Sequence, residues 1–288
     1  MIVVATNGQP ESSSAVQWAA AEAVRRACPL RVLVAVSVPT ALTGAFADPT
    51  ALPDEVVDSA RAVADQAAAA AREAGVADVG TSVRIGTAAA VLVAESQSAD
   101  LVVLGSRGRG EIASALLGSV SVTVSAHARC PVVVVRPDTH PRLEAGHPVL
   151  AGVDGSPRSR HTAAFAADVA ARAGAPLILV SAWQVPVVGL TSLEYWALVD
   201  ADQAAVFAEA AGQVVAQARD EVLAAHPDLS VQTLVVEAEA GVALVEHSAD
   251  ASLLVVGSRG HGGFTGLLLG SVSHHVLHDA RCPVAVVR

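Results

Sequence analysis

Lysine is absent from this chain: all 18 basic residues are arginine. A Walker A loop needs a lysine on the β- and γ-phosphates, a protein kinase needs one on a strand, and Schiff-base catalysis needs its amine, so all three are excluded. Positive charge is also in deficit, with 28 acidic residues and a formal net charge of −10. A phosphodiester backbone demands a basic face, which argues against a nucleic-acid partner. A small nucleotide stays open, because salt screens charge beyond about 8 Å and local groups decide. No apolar run approaches the ~18 residues of a spanning helix, so no membrane partner is expected. The first residues, MIVVATNG, carry neither a basic region nor a small-residue cleavage site and read as a strand rather than a signal peptide. Aromatic residues make up only 3% of the chain.

Cysteine is scarce as well: Cys28, Cys130 and Cys282. The last two stand in matching RCPV contexts in the two halves. They read as small buried apolar residues rather than a disulfide or a metal site, and a reducing, cytoplasmic compartment is the expectation.

What is present is a repeat. A length of 288 residues is about two domains. In the first half, β-branched runs at 2–6, 31–38, 79–85, 100–105 and 131–136 alternate with helical patterns at 12–27, 54–75, 87–97 and 119–128. The runs are continuously apolar, as in parallel strands covered on both faces. Ser12 and Asp54 are the expected N-caps, and Gly75 the stop after the second helix. Runs at 149–153, 176–183, 229–236, 252–257 and 283–288 repeat the order. The pattern predicts an α/β protein of two Rossmann-like domains, 1–137 and 148–288, joined by a Pro- and charge-rich linker at 138–147. Two long connections, 37–53 and 183–203, follow the second strand of each half; the latter carries Trp183, Tyr195 and Trp196. These aromatics read either as a lid or partner surface, or as anchors of a loop on the core.

One string occurs twice. GSRGRGEIASALLGSVS (105–121) and GSRGHGGFTGLLLGSVS (257–273) agree at 11 of 17 positions at an offset of 152. Each begins where an apolar strand ends and closes on Gly-Ser ahead of a helical pattern. A helix start offers free N–H groups and about half a positive charge, and glycine lets the backbone approach closely. Strand, glycine turn and Gly-Ser helix start together make a phosphate cradle that requires no lysine. Structural turn glycines are the alternative on spacing alone. Ser119 and Ser271 either cap their helices or donate to an anion.

With this string, GVDGSP at 152–157, ADLVVLGSRG and the RCPV lead-in, the chain resembles the tandem-domain universal stress proteins over nearly its whole length. The resemblance implies a five-stranded parallel sheet per domain in the order 3-2-1-4-5, and ATP as ligand, with or without Mg²⁺. It implies phosphate contacts from Gly105, Arg107, Gly108, Arg109, Gly110, Gly118, Ser119, Val120 and Ser121 in the first half. In the second half they come from Gly257, Arg259, Gly260, His261, Gly262, Gly270, Ser271, Val272 and Ser273. Arg107 and Arg259 read equally as solvated surface arginines. Gly152 and Asp154 would meet the nucleoside, with Asn7 in the place of Asp154 in the first half. Val36 and Ala182 would line the adenine pocket. The resemblance further implies that the two domains pair through their fifth strands and that two chains form a homodimer.

The halves differ. Asn7 lacks the charge of Asp154, and Glu111 stands where the second half has Gly263, so the second domain is expected to bind ATP more tightly. Gly86 is matched by Ala238. His274 and His278 share a helix face, but no Asp, Glu or Cys completes a metal set, so no metal ligands are assigned. Asp100 and Asp250 read as caps or strand-edge charges. The expected function is a nucleotide-dependent stress-response sensor or regulator with one site per domain. The rivals are a slow Mg-dependent ATPase and a nucleotide-free interaction protein. No pyrophosphate loop of the SGG-x-DS type follows the first strand, which speaks against a nucleotidyl transferase.

Overall fold

The computed structural model describes residues 1–37, 52–106, 117–137, 146–185, 201–261 and 268–288. The chain divides into two compact units, Met1–Leu143 with Cys282–Arg288, and Glu144–Arg281. Tyr195, Trp196 and Glu111 lie outside the described residues.

In the first unit the apolar runs become β1 (Ile2–Ala5), β2 (Leu30–Val36), β3 (Val79–Ile85), β4 (Leu101–Gly105) and β5 (Val132–Val135). Their pairing is parallel throughout, in the order β3-β2-β1-β4-β5. The central strands are apolar on both faces because helices cover both: Ile2, Val3, Val4, Leu101, Val102 and Val103 are fully buried. The outer strand β3, VGTSVRI, is half exposed and correspondingly more polar.

Helix α1 (Pro10–Arg26) packs on β1 and β4 and buries Trp18 completely. Helix α2 (Asp54–Glu73) lies on β2 and β3 along a stripe of Ala60, Ala64, Ala68 and Ala71. Side chains of one carbon at this spacing bring helix and sheet backbones close, and larger residues there would overpack at about 1–3 kcal/mol each. Helices α3 (Ala88–Glu95) and α4 (Ser119–His127) complete the unit and pack on each other.

The expected caps at Ser12 and Asp54 are corrected by the structure. Gln9 and Pro53 occupy the cap positions. Pro10 opens α1 because its missing N–H would have no partner at a first helical position. Ser12 therefore falls inside the helix, where its buried hydroxyl lies 2.8 Å from Thr6 Oγ1 and donates to Gln9 O. Asp54 is a first-turn acid, which complements the helix dipole rather than capping it. Gly75 does follow α2 with φ +97°.

The second unit repeats this plan with β6 (Val149–Gly152), α5 (Pro157–Ala173), β7 (Leu177–Trp183), α6 (Ala201–Ala225), β8 (Val231–Glu237), α7 (Ala240–His247), β9 (Leu253–Gly257) and α8 (Ser271–Asp279). The strands pair in parallel as β8-β7-β6-β9. Strands β2 and β7 share one burial pattern residue for residue. With β6 between β7 and β9, the connections from β6 and β9 leave to opposite sides, which opens a crevice at their carboxyl ends. The last strand, β10 (Val284–Val287), belongs to the first unit and runs antiparallel to β5, Val284 opposite Val134.

Strand and helix limits fall within two residues of those the hydrophobic pattern predicts. Cys130 and Cys282 are buried, and burial pushes the Cys130 thiol up to about 11. Among the described residues, no helix is long and apolar enough to cross a membrane.

Candidate functional site

The site is clearest in the second unit, where two strand ends meet. Strand β6 ends at Gly152, against Leu244 of α7: a Cβ on Gly152 would stand 2.9 Å from Leu244 Cδ1. Val153 still pairs, its N–H donating to Val180 O at 2.8 Å. The chain then turns. Asp154 Oδ1 accepts from Ser156 N at 3.0 Å, Gly155 takes φ +80°, and Ser156 caps α5 by accepting from Ser159 N at 3.3 Å. GVDGSP is thus a strand end, an aspartate turn and a helix cap in six residues, with Pro157 at the first helical position.

Strand β9 ends at Gly257 alongside it. His261 N donates to Asp154 Oδ2 at 2.9 Å, joining the fourth-strand loop to the first-strand turn. Gly260 lies so near that a Cβ would overlap Asp154 Oδ2. Farther on, Gly270 N donates to Ser258 O at 2.8 Å and Ser273 Oγ to Gly257 O at 2.7 Å. These two bonds tie the start of α8 to the end of β9. Gly270 is the cap residue of α8 and provides no side chain to bond the first amides. The first amides of a helix have no partner within it and can take an outside acceptor.

Around these elements lies a cavity of about 490 Å³, within the usual size for a small-molecule site. It gathers Gly152, Asp154, Ala182, Gly257, Arg259, Gly260, His261, Gly270, Ser271, Val272 and Ser273. Every second-half residue expected to contact the nucleotide is therefore on its wall except Gly262, which lies outside the described residues. Apolar wall comes from Val180, Ala182, Leu244 and Val256. Leu244, Ala240, Val180 and Ser159 were not legible as lining; the apolar helix after the third strand is the signal that marks Leu244. Burial raises the proton affinity of Asp154, but bonds from the Ser156 hydroxyl and amide and the His261 amide, with the His261 charge, hold its carboxyl below the ordinary aspartate value. It is an anion with lone pairs remaining on both oxygens, suited to accepting from hydroxyls.

The first unit repeats part of this. Asn7 Oδ1 accepts from Gln9 N at 3.0 Å, as Asp154 does from Ser156. Gly118 N donates to Ser106 O at 2.8 Å and Ser121 Oγ to Gly105 O at 3.0 Å, the twins of the bonds at Gly270 and Ser273. Val36 ends β2, and Ser119 and Val120 open α4, whose cap residue Gly118 likewise supplies no side-chain bond. Arg107, Gly108, Arg109 and Gly110 lie outside the described residues. In both units the hydroxyl proton of the second serine goes to a strand-end carbonyl, so these serines brace the loop.

His274 and His278 do share a face of α8, with ring centroids 4.8 Å apart. His275 instead stands between Glu239 and Asp279, at 3.7 and 3.6 Å. Among the described residues no three His, Cys, Asp or Glu side chains converge to hold a metal ion.

The family model for the universal stress protein family matches residues 1–136 and again 146–288. The chain is 40% identical to universal stress protein Rv2005c of Mycobacterium tuberculosis, over all of this chain and 96% of that protein. It is 35% identical to universal stress protein Rv1996 of the same organism, over all of this chain and 94% of that one. In fold it is similar to the crystal structure of a universal stress protein from Archaeoglobus fulgidus, with a TM-score of 0.73 at 20% identity, covering all of this chain and 98% of the other. Two matches in tandem, full-length relatives and two copies of one sheet plan lead to one conclusion: the chain belongs to the universal stress protein family.

Proposed function

We propose that this chain is an ATP-binding sensor or regulator, and that its second domain carries the stronger of two nucleotide sites. One observation carries the reading: the Asp154 carboxylate, an apolar wall and the start of α8, with no side-chain cap, face a single cavity. The donor set fits the ligand. Val180, Ala182, Leu244 and Val256 suit a base, Asp154 accepts from ribose hydroxyls, and the amides from Ser271 to Ser273, with Arg259, suit phosphate oxygens. Mg²⁺, where present, would ride on the phosphates. The first domain has Asn7 in the place of Asp154 and so lacks the anionic acceptor, which favours the second site.

In this reading the domains divide at the linker, 138–147, and pair through their fifth strands. A homodimer in the cytoplasm is the assembly proposed. The test begins by denaturing the purified protein and identifying released nucleotide by mass spectrometry. Calorimetric titration with ATP follows, on wild type and on Asp154→Ala. ATP release and a second-site affinity lost in Asp154→Ala are expected. Both variants silent at millimolar ATP would overturn the proposal, and a turnover assay with Mg²⁺ separates a binder from an ATPase.

A further inference from the structure

Only three ionisable side chains are among the described residues lining the cavity: Asp154, Arg259 and His261. With His261 neutral, the formal charges of Asp154 and Arg259 cancel. With His261 protonated, the lining is net positive by one charge. Imidazole is the side chain that ordinarily changes charge between about pH 5 and 8. Among the described residues, one titratable ring therefore sets the sign of the lining.

The ring is placed to matter. The His261 amide is anchored on Asp154 Oδ2, which fixes the backbone at the cavity mouth. Its side chain turns back over the β6–α5 turn, so that a Cβ added to Gly155 would stand 3.9 Å from Nε2. The same hypothetical Cβ meets Val214 of α6 at 3.0 Å, so the face α6 presents here is apolar. Among the described residues that line the same cavity, Asp154 from the β6–α5 turn and Arg259 from its own loop are the other charged groups, and the start of α8 lines it as well. His261 also lowers the proton affinity of Asp154 through its charge, which shows the two groups within electrostatic reach. At the matching position of the first glycine string the chain has Arg109, whose charge is permanent.

We propose that His261 makes the second site a pH-graded polyphosphate site, binding more tightly as the imidazole protonates. The inference rests on reading the cavity as a nucleotide site and deepens it by naming what adjusts its affinity. A positive charge beside an anion favours the bound state, and the preference is lost as pH rises and the ring becomes neutral. For a partly solvent-exposed charge the expected gain is about 3- to 10-fold in affinity between pH 8 and pH 5.5. The phosphate chain carries the effect, so a nucleoside without phosphates should not share it.

The test is calorimetric titration of the full-length chain with ATP and with adenosine at pH 5.5, 6.5, 7.5 and 8, for wild type, His261→Gln and His261→Arg. ATP's own phosphate titration is common to all three proteins and drops out of the comparison. Differences between them report the second site alone, because only that site is changed. Expected is a wild-type slope steeper than that of His261→Gln. His261→Arg should hold the wild-type low-pH affinity at every pH, and adenosine should bind alike in all three. Thermal melts check that the variants are folded, and the arginine variant keeps the test decisive should glutamine disturb the loop. Parallel pH profiles for wild type and both variants would overturn this inference and leave the nucleotide reading standing. Absence of ATP binding by wild type at every pH would overturn the nucleotide reading itself and the inference with it.

Discussion

Gly260 leaves room for the Asp154 carboxylate: any side chain at 260 would overlap Oδ2. Its φ lies outside the positive range, so the demand on this glycine is proximity and not backbone conformation. Gly260→Ala should therefore cost about 1–3 kcal/mol and weaken ligand binding in the second unit. Asp154→Ala removes the obstacle, and in that background Gly260→Ala should cost little. Urea denaturation of both singles and the double should give a coupling of about 1–3 kcal/mol. Strict additivity would mean that the glycine serves something else.

Acid should expose the role of Asp154 directly. Its folded value lies below the unfolded one, because the Ser156 and His261 bonds outweigh burial. A depressed carboxylate contributes stability that is complete above the unfolded value, about 3.9, and lost as pH falls through the folded value. Asp154→Asn should flatten stability against pH below about pH 4. A wild-type and variant profile that run parallel down to pH 2 would remove Asp154 from the acid transition.

The two copies contain a natural comparison at the end of the first helix. Ala27 closes α1 at φ 46° and Gly174 closes α5 at φ 62°, both left-handed. A side chain is strained there and glycine is not. Ala27→Gly should raise unfolding free energy by about 0.5 kcal/mol, after the greater chain entropy of glycine in the unfolded state is taken into account. Gly174→Ala should lower it by about 1 kcal/mol. Equal signs for the two substitutions would contradict the strain account.

Glu22 is fully buried on α1, and it holds Arg25 Nε at 3.0 Å and Arg26 Nε at 2.6 Å. Removing its charge takes the Glu22 carboxylate away from two mostly buried guanidinium groups. Glu22→Gln should cost about 3 kcal/mol, and because the pair is shielded from solvent the loss should change little between low and high salt. A loss below about 0.5 kcal/mol in the urea midpoint would place this triad with ordinary surface pairs.

Much of the site is legible in the residues alone. The aspartate turn of GVDGSP follows from local chemistry, since Asp, Gly, Ser and Pro each have a conformation they favour. The glycine string declares itself by recurring at one offset. The bracing role of Ser121 and Ser273 is not legible there, because the carbonyl each one bonds belongs to a residue 16 positions back, across a loop. Nor is Leu244 as a wall residue, since its helix reaches β6 only through packing.

By itself the amino-acid order determined the alternation of strand and helix, the duplication and the family. Those are properties of short stretches, in which periods of 2 and 3.6 residues and the preferences of glycine and proline act within a few bonds. Only the tertiary structure decided that His261, 107 residues beyond Asp154, would bond to it. It alone also decided that the formal charges of the described residues lining the cavity would nearly cancel. The physical reason is the strand order β8-β7-β6-β9: it sets the ends of β6 and β9 side by side, and distances across that crevice depend on sheet pairing rather than on separation along the chain.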